Sequence, residues 1–409
     1  MTLVSANAAT RADSLLMQYL REQGLKEYRF ATTQFYVTAV AKYEALLADL
    51  EKAQKSVDME YFIFANDTIA NQVLDILRQA VKRGVKVRII VDGYKDKVRG
   101  FNYQGNVAAK LRKEGIDLVV FDPWKFPYLN HVPRDHRKIV VIDGKVGYLG
   151  GMNIADYYMH GREGMKSEWR DLHMRITGEA CKGLQLMFEK SWQVANNPDS
   201  KILFIPQQEE TNIGSAWDVQ SAERGRIAVF FERTRESRRK KAETREAFKA
   251  AFASVQDTLR LISPYFMPTR SVRKALIAAA DRGVVIQILH SKEGDIALLA
   301  HGNRHFAKKM LKHGAEVYLH RTAFHHSKFL TADGQFAMVG SANLNARSLS
   351  FDYEASCFLF DEPVTSQLNA MFNSELQKCD TLTLRNYDKL PLGERIIGWI
   401  VDNILSPCL

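Results

Sequence analysis

Cysteine is scarce in this chain. There are four in 409 residues, Cys181, Cys357, Cys379 and Cys408, and no two form a CxxC pair. A chain this long needs no covalent staples, so reduced thiols in a cytosolic compartment are expected. Cys408 stands second from the end and does not fit a prenylation box. Long apolar runs are also missing: none approaches the ~18–20 residues that cross a bilayer. The start, MTLVSANAATRADSLLMQYLREQ, lacks a basic n-region and a long apolar h-region, so no secretory signal is expected. What is present is an ordinary globular composition, 46% hydrophobic and 25% charged, enough for one or two well-filled domains. The net charge of +10 favours an anionic partner, nucleic acid or an anionic membrane surface, over a basic enzyme with no such partner.

Internal repetition organises the rest. AQKSVDMEYFIFAN from Ala53 and VQDTLRLISPYFMPT from Val255 each leave a helix and enter an apolar strand containing Tyr-Phe. ILRQAVKRGVKVRIIVDG from Ile76 and KALIAAADRGVVIQILHS from Lys274 each read as an amphipathic helix, an Arg-Gly break and a β-branched strand. AKLRKEGIDLVVFD and KKMLKHGAEVYLHR repeat helix, glycine, strand. The order predicts an α/β fold of two similar lobes, each a mixed, largely parallel sheet flanked by helices, related by a pseudo-two-fold axis. The expected boundaries are an N-terminal helical segment over 1–32, a first lobe over 33–205, a polar linker over 206–225, a second lobe over 226–381 and a C-terminal amphipathic segment over 382–409.

Each series ends in the same device. DHRKIVVIDGKVGYLGGMN fills 135–153 and HHSKFLTADGQFAMVGSAN fills 325–343. Each is an apolar strand, an Asp-Gly two-residue hairpin turn and a return strand. Strand alternation points His136 and Lys138 the same way, and likewise His326 and Lys328. Asp143 and Asp333 stand at the turns, where geometry reads them as scaffold residues rather than groups that touch substrate. Asn153 and Asn343, with Gly151 and Ser341 before them, close each hairpin where backbone can approach a ligand. Facing halves would place two His, two Lys and two Asn in one cleft. Neither motif carries an acidic cluster for magnesium, and no cofactor or metal is expected. Such an inventory suits a phosphodiester, with cationic and amide donors on the phosphoryl oxygens, one neutral His attacking phosphorus and one protonated His serving the leaving alkoxide.

The paired HxKxxxxDG stretches resemble those of the phospholipase D superfamily, and the finer likeness is to its bacterial cardiolipin synthases. RDHRKIVVIDGKVGYLGGMNIADYY, WRDLHMRITGEACKGLQLMFEKSW, SPYFMPT, DRGVVIQIL, GSANLNARSLSFDYE and the ending LSPCL carry it, from about Phe35 to Leu409 outside the linker. The resemblance implies phosphatidyl transfer between two phosphatidylglycerol molecules through a His, giving cardiolipin and glycerol. It assigns the nucleophile to His136 and the acid to His326. It includes Lys138, Asp143, Lys328 and Asp333 in the catalytic motifs and adds Asp171 and Glu354 as acids that orient the histidines. It further implies a bacterial protein, peripheral on the inner face of the cytoplasmic membrane, with anionic phospholipid rather than nucleic acid as partner; oligomeric state is left open. This chain departs from the family in lacking two membrane-spanning helices, in carrying Asp352 where Asn is usual, and in the charged stretch after Phe231.

Two other readings share the motifs. A nuclease or other phosphodiesterase of the superfamily would fit the charge, whereas Trp124, Phe126, Pro127 and Tyr128 before the first motif favour acyl chains. A catalytically dead membrane-binding scaffold would not need both histidines and both lysines. At the end, ERIIGWIVDNILSPCL puts Ile396, Ile397, Ile400, Val401, Ile404 and Leu405 on one helical stripe. It is too short to span a bilayer; it packs on the body or lies in the membrane interface with Trp399 near the headgroups.

Overall fold

The computed structural model describes residues 11–93, 106–121, 133–161, 168–196, 226–232 and 243–406. The linker 206–225 and the aromatic loop with Trp124, Phe126, Pro127 and Tyr128 lie outside the described residues. Two sheets carry the fold. The first has seven strands in the spatial order Thr33–Tyr36, His173–Thr177, Val146–Gly150, Lys138–Ile142, Ser56–Tyr61, Lys86–Asp92 and Ile116–Phe121. The second repeats that order with Ile227–Glu232, Ala355–Phe360, Phe336–Gly340, Phe329–Ala332, Thr258–Ile262, Val285–Ser291 and Glu316–His320. It adds an edge strand at each side, Glu27–Arg29 and Cys379–Leu382. The N-terminal segment thus supplies a strand to the second sheet, and its helix Ala12–Glu22 buries Leu16, Met17 and Leu20 in the same cluster as Phe248 and Phe252.

The expectation of largely parallel sheets needs correction. Within these two sheets parallel pairing is confined to three strands in each, Ser56–Tyr61 with Lys86–Asp92 and Ile116–Phe121, and Thr258–Ile262 with Val285–Ser291 and Glu316–His320. All other neighbours within the two sheets are antiparallel. The helical crossovers between repeats give parallel neighbours, but each motif hairpin and the strand after it can only fold back antiparallel. Gly84 and Gly283 close the helices before the second parallel strand at φ +88 and +91, the left-handed geometry that ends a helix cheaply at glycine.

Helices cover the outer faces, and a shared cluster lies between the sheets. It joins Ile139, Val141 and Leu149 of the first motif hairpin to Phe329, Ala337 and Val339 of the second, with Leu184 and Leu368 from the helices Ala180–Asn196 and Glu362–Leu376. This common core holds the two hairpins together.

Both turns have left-handed φ at both central residues, 54 and 65 at Asp143-Gly144 and 52 and 70 at Asp333-Gly334. The aspartates do more than turn the chain. Asp143 accepts hydrogen bonds from the N–H groups of Gln54, Lys55 and Ser56. Asp333 accepts those of Gln256, Asp257 and Thr258. Each carboxylate therefore caps the start of the neighbouring strand. A strand rises about 3.3 Å per residue, so both lie a full strand length from the histidines, and the catalytic place that resemblance gave them is corrected. Substituting Asp143→Asn should cost about 1 kcal/mol of stability, the net worth of a structural hydrogen bond, and leave the histidine geometry intact. Urea unfolding beside specific turnover checks this; a fully stable but inactive variant would contradict the capping role.

Candidate active site

The chain enters each motif by pairing with the opposite lobe. Asp135 forms a parallel bridge with Tyr353, and the His136 N–H donates to the Tyr353 carbonyl at 2.9 Å. Reciprocally, Ala323–His325 runs parallel to Glu168–Arg170, and the His326 N–H donates to the Arg170 carbonyl at 2.6 Å. Such reciprocal contacts are what two-fold-related halves make. Glu354 follows Tyr353 and Asp171 follows Arg170, so each bridge delivers one lobe's carboxylate to the other lobe's histidine. Nδ1 of His136 stands 3.0 and 3.1 Å from the Glu354 carboxylate oxygens. Nδ1 of His326 stands 2.5 Å from Asp171 Oδ2. Asp352, at the position usual for Asn, accepts from the Arg134 N–H at 2.9 Å and from Arg347 Nε at 2.7 Å, which ties down the chain before His136.

The lysines fold back on the same residues. Lys138 Nζ donates to the His136 carbonyl at 2.5 Å, and Lys328 Nζ donates to the His326 carbonyl and lies 2.8 Å from its Nδ1. Both are fully buried, and burial lowers Lys138 to about 7 and Lys328 to about 8. His136 is also lowered, by burial first and then by both lysine charges, with Glu354 opposing. His326 is lowered further, by burial and then by Lys328 and Lys138. Because each lysine acts on both histidines, the four residues form one electrostatic unit. The carboxylates differ. Burial works against ionisation of Glu354, but His136, Lys138 and Ser341 outweigh it and hold its pKa low. Burial pushes Asp171 up to about 6 despite Lys328 and the Leu172 N–H.

Four expected ligand-binding positions have other occupations. The Ser341 hydroxyl donates to Glu354 and accepts from the Ala355 N–H at 3.0 Å. Gly151 leaves room for Asp171: a Cβ there would sit 2.1 Å from Asp171 Oδ1. Both positions hold a carboxylate rather than face a substrate. Asn153 accepts from the Ile63 N–H at 2.9 Å and donates one amide N–H to the Tyr158 hydroxyl at 2.6 Å. Asn343 donates to the Ser348 hydroxyl at 3.3 Å and leaves its buried Oδ1 without a hydrogen bond. Asn153 and Asn343 each keep a second amide N–H, and their place as substrate binders stays a proposal.

Sequence reasoning missed the walls and the support. Phe62 lies 5.1 Å from the His136 ring, centroid to centroid, and Trp169 and Phe324 lie 5.2 and 5.8 Å from the His326 ring. Glu375, on the helix Glu362–Leu376, binds His320 Nε2 at 3.0 Å and His325 Nε2 at 3.1 Å through one oxygen. Its other oxygen takes Arg170 at 3.1 Å and Lys378 at 3.2 Å. It thereby anchors the residue before His326 and the residue before Asp171 together. No local motif marks it in the sequence. Among the described residues, His320, His325 and Glu375 also form the group whose atoms could converge on a metal ion. Glu375 is already shared between two imidazole donors and two cations, an arrangement complete in itself and electrostatically opposed to a dication.

A family model described as cardiolipin synthase, phospholipase D-like domain, matches residues 46–190 and 248–376. The chain is 29% identical over 400 residues to a cardiolipin synthase of Geobacillus sp. (strain WCH70), spanning 96% of this chain and 76% of that protein. It is 30% identical over 371 residues to cardiolipin synthase 2 of Bacillus anthracis, spanning 90% and 68%. The structure superposes on phosphatidylserine synthase of Haemophilus influenzae with a TM-score of 0.68 at 13% identity, over 96% of this chain and 100% of that one. At that identity the superposition speaks for the fold.

The tight fit at Gly151 is testable directly. A Gly151→Ala variant should be destabilised by about 1–3 kcal/mol, as overpacked sites are. Its crystal structure should show Asp171 pushed away from His326, and an Asp171–His326 pair unmoved from 2.5 Å would contradict the packing described here.

Proposed function

The chain belongs to the cardiolipin synthase family with phospholipase D-like domains and is an enzyme of that kind, and we propose that it joins two phosphatidylglycerol molecules into cardiolipin through a covalent phosphatidyl-histidine, without a metal. The observation that carries this reading is the pair of crossed histidine–carboxylate contacts, with a buried imidazole from each lobe under the influence of both buried lysines. Nε2 of one histidine bonds to phosphorus while the P–O bond to glycerol breaks. The leaving alkoxide takes the Nε2 proton of the other histidine. That second histidine then takes a proton from the headgroup hydroxyl of an incoming phosphatidylglycerol. The new oxygen bonds to phosphorus and the P–N bond breaks, which restores both imidazoles.

The two halves differ in a way that supports assigning attack to His136. Its Nδ1 faces an ionised Glu354, so Nδ1–H donates to the carboxylate and Nε2 keeps its lone pair. Nδ1 of His326 lies within hydrogen-bond reach of both Asp171 Oδ2 and Lys328 Nζ, and burial pushes Asp171 up to about 6, so this histidine is backed by the more basic carboxylate. With a phosphate bound, a protonated His326 gives Nδ1–H to Asp171 and offers Nε2–H to the leaving group. Lys138 and Lys328 neutralise the phosphoryl oxygens, and a bound phosphate restores their protonation against burial. Phe62, Trp169 and Phe324 keep the site apolar around the charge. Phosphatidylglycerol at an anionic membrane surface, on the inner face of a bacterial cytoplasmic membrane, is the setting this chemistry requires; no nucleic acid is needed.

Two outcomes test it. With a phospholipid bearing a good leaving group, His326→Ala should still accumulate an adduct on His136, and His136→Ala should form none. Mass spectrometric mapping of an adduct on His326 in His136→Ala protein, with none on His136 in the other variant, would reverse the roles. Turnover of phosphatidylglycerol vesicles should persist in EDTA and yield cardiolipin and glycerol. Loss in EDTA with recovery by magnesium would overturn the metal-free account, and phosphatidic acid as sole lipid product would identify a hydrolase.

A further inference from the structure

The C-terminal helix Leu392–Ile400, continued to Leu405, is built inside out. Apart from buried Val401, its inward face is small or charged. Gly398 lies so close to the helix Ala297–Lys312 that a Cβ would stand 2.7 Å from the His301 carbonyl. Buried Asp402 takes Arg273 at 2.6 Å and Lys309 at 2.6 Å, and Glu394 takes Arg304 at 3.2 Å. The outward face carries the large apolar residues: Leu392, Ile396, Trp399 and Ile404 are 68%, 50%, 51% and 55% exposed. A helix evolved to face water does the reverse, and contiguous exposed apolar surface of this kind marks an interaction face.

We propose that this face is the membrane-docking surface of the enzyme and that its occupant is the interfacial region of an anionic phospholipid bilayer. Charge argues for lipid. The acidic residues here are engaged by cations, Glu394 and Asp402 as above and Asp388 by Lys308 at 3.3 Å, while Arg385 and Lys389 are exposed beside the helix. Exposed basic residues flanking an apolar stripe with a Trp suit headgroups above and acyl chains below. Position argues for it too. Leu298, also exposed, lies one turn before His301 and Gly302 on the face of its helix that carries the C-terminal helix. Exposed Ile296 precedes it, next to Asp295, which accepts from the Tyr265 hydroxyl at 2.8 Å. The Tyr265 ring is 6.3 Å from that of His326. The apolar face therefore runs from the C-terminal helix to the mouth of the site, and Ile296 is about 8 Å along the helix axis from His301. A bilayer seated there brings headgroups to the histidines.

The inference rests on phospholipid being the substrate, so its test separates the two. The full chain and an Ile396→Asp/Trp399→Asp variant are compared by flotation with vesicles of equal parts phosphatidylglycerol and phosphatidylcholine. Turnover is measured on those vesicles and on short-chain phosphatidylglycerol dispersed as monomers. The variant should partition at least about ten-fold more weakly, lose vesicle turnover in parallel and keep turnover on monomers. Leu298→Asp should act in the same direction. Vesicle partition within about two-fold of the parent would overturn the proposal, as would a parent dimer that becomes monomeric in the variant with vesicle binding unchanged. Loss of turnover on monomers in the variant would likewise overturn it, since the face would then serve the fold or the chemistry. A parent that floats with vesicles yet turns over neither lipid would uphold docking and sink the catalytic reading alone.

Discussion

Each histidine of this protein is oriented by a carboxylate from the other half of the chain, and the rest of the structure depends on that exchange. His136 and Glu354 are 218 residues apart in sequence, and His326 and Asp171 are 155 apart. They meet because the segment before each histidine adds as a parallel strand to the segment before the opposite carboxylate. Neither lobe alone orients its own motif histidine with a carboxylate. The shared apolar core between the sheets serves this end: it fixes the hairpins relative to one another, and the crossed bridges then set the rings. Gly151 and Ser341, equivalent positions in the two hairpins, complete the arrangement by making room for one carboxylate and hydrogen-bonding the other.

Burial gives the site its chemistry. Two lysines, two histidines and two carboxylates removed from water would destabilise the fold heavily if each were alone. Here each is held by a neighbour of opposite character or by a carbonyl, and their proton affinities move toward neutrality, with Lys138 near 7, Lys328 near 8 and Asp171 near 6. Such groups exchange protons at physiological pH, which phosphoryl transfer by histidine demands. The halves share a motif but not an electrostatic balance: His136 and Lys138, helped by Ser341, hold Glu354 low, whereas burial prevails at Asp171.

Much of this was legible in the sequence, for physical reasons that can be named. The period-two apolar strands and Asp-Gly turns are local, so both hairpins, with His136, Lys138, His326 and Lys328, could be read directly. Repetition then implied two lobes. Pairing direction is nonlocal, and the parallel content was overestimated. The crossing of Glu354 and Asp171 between lobes is equally nonlocal, as is the anchoring of His325 and Arg170 by Glu375. Asn153 was read from its type alone, and the contacts that fix its orientation, with Ile63 and Tyr158, are nonlocal or depend on the fold. The stripe at the C-terminus was visible by periodicity, but periodicity cannot say which face turns outward. Val401 is buried while Ile396 and Ile404 are exposed, a division set by the close approach at Gly398.

The central claim is that one histidine from each lobe stands on opposite sides of a single phosphorus. A crystal structure with orthovanadate, which adopts the five-coordinate geometry of the transferring phosphoryl group, tests it most directly. The account predicts one vanadium bonded to Nε2 of His136, with Nε2 of His326 hydrogen-bonded to the apical oxygen opposite. Vanadate held by one histidine with the other out of reach, or two vanadates in separate sites, would contradict it.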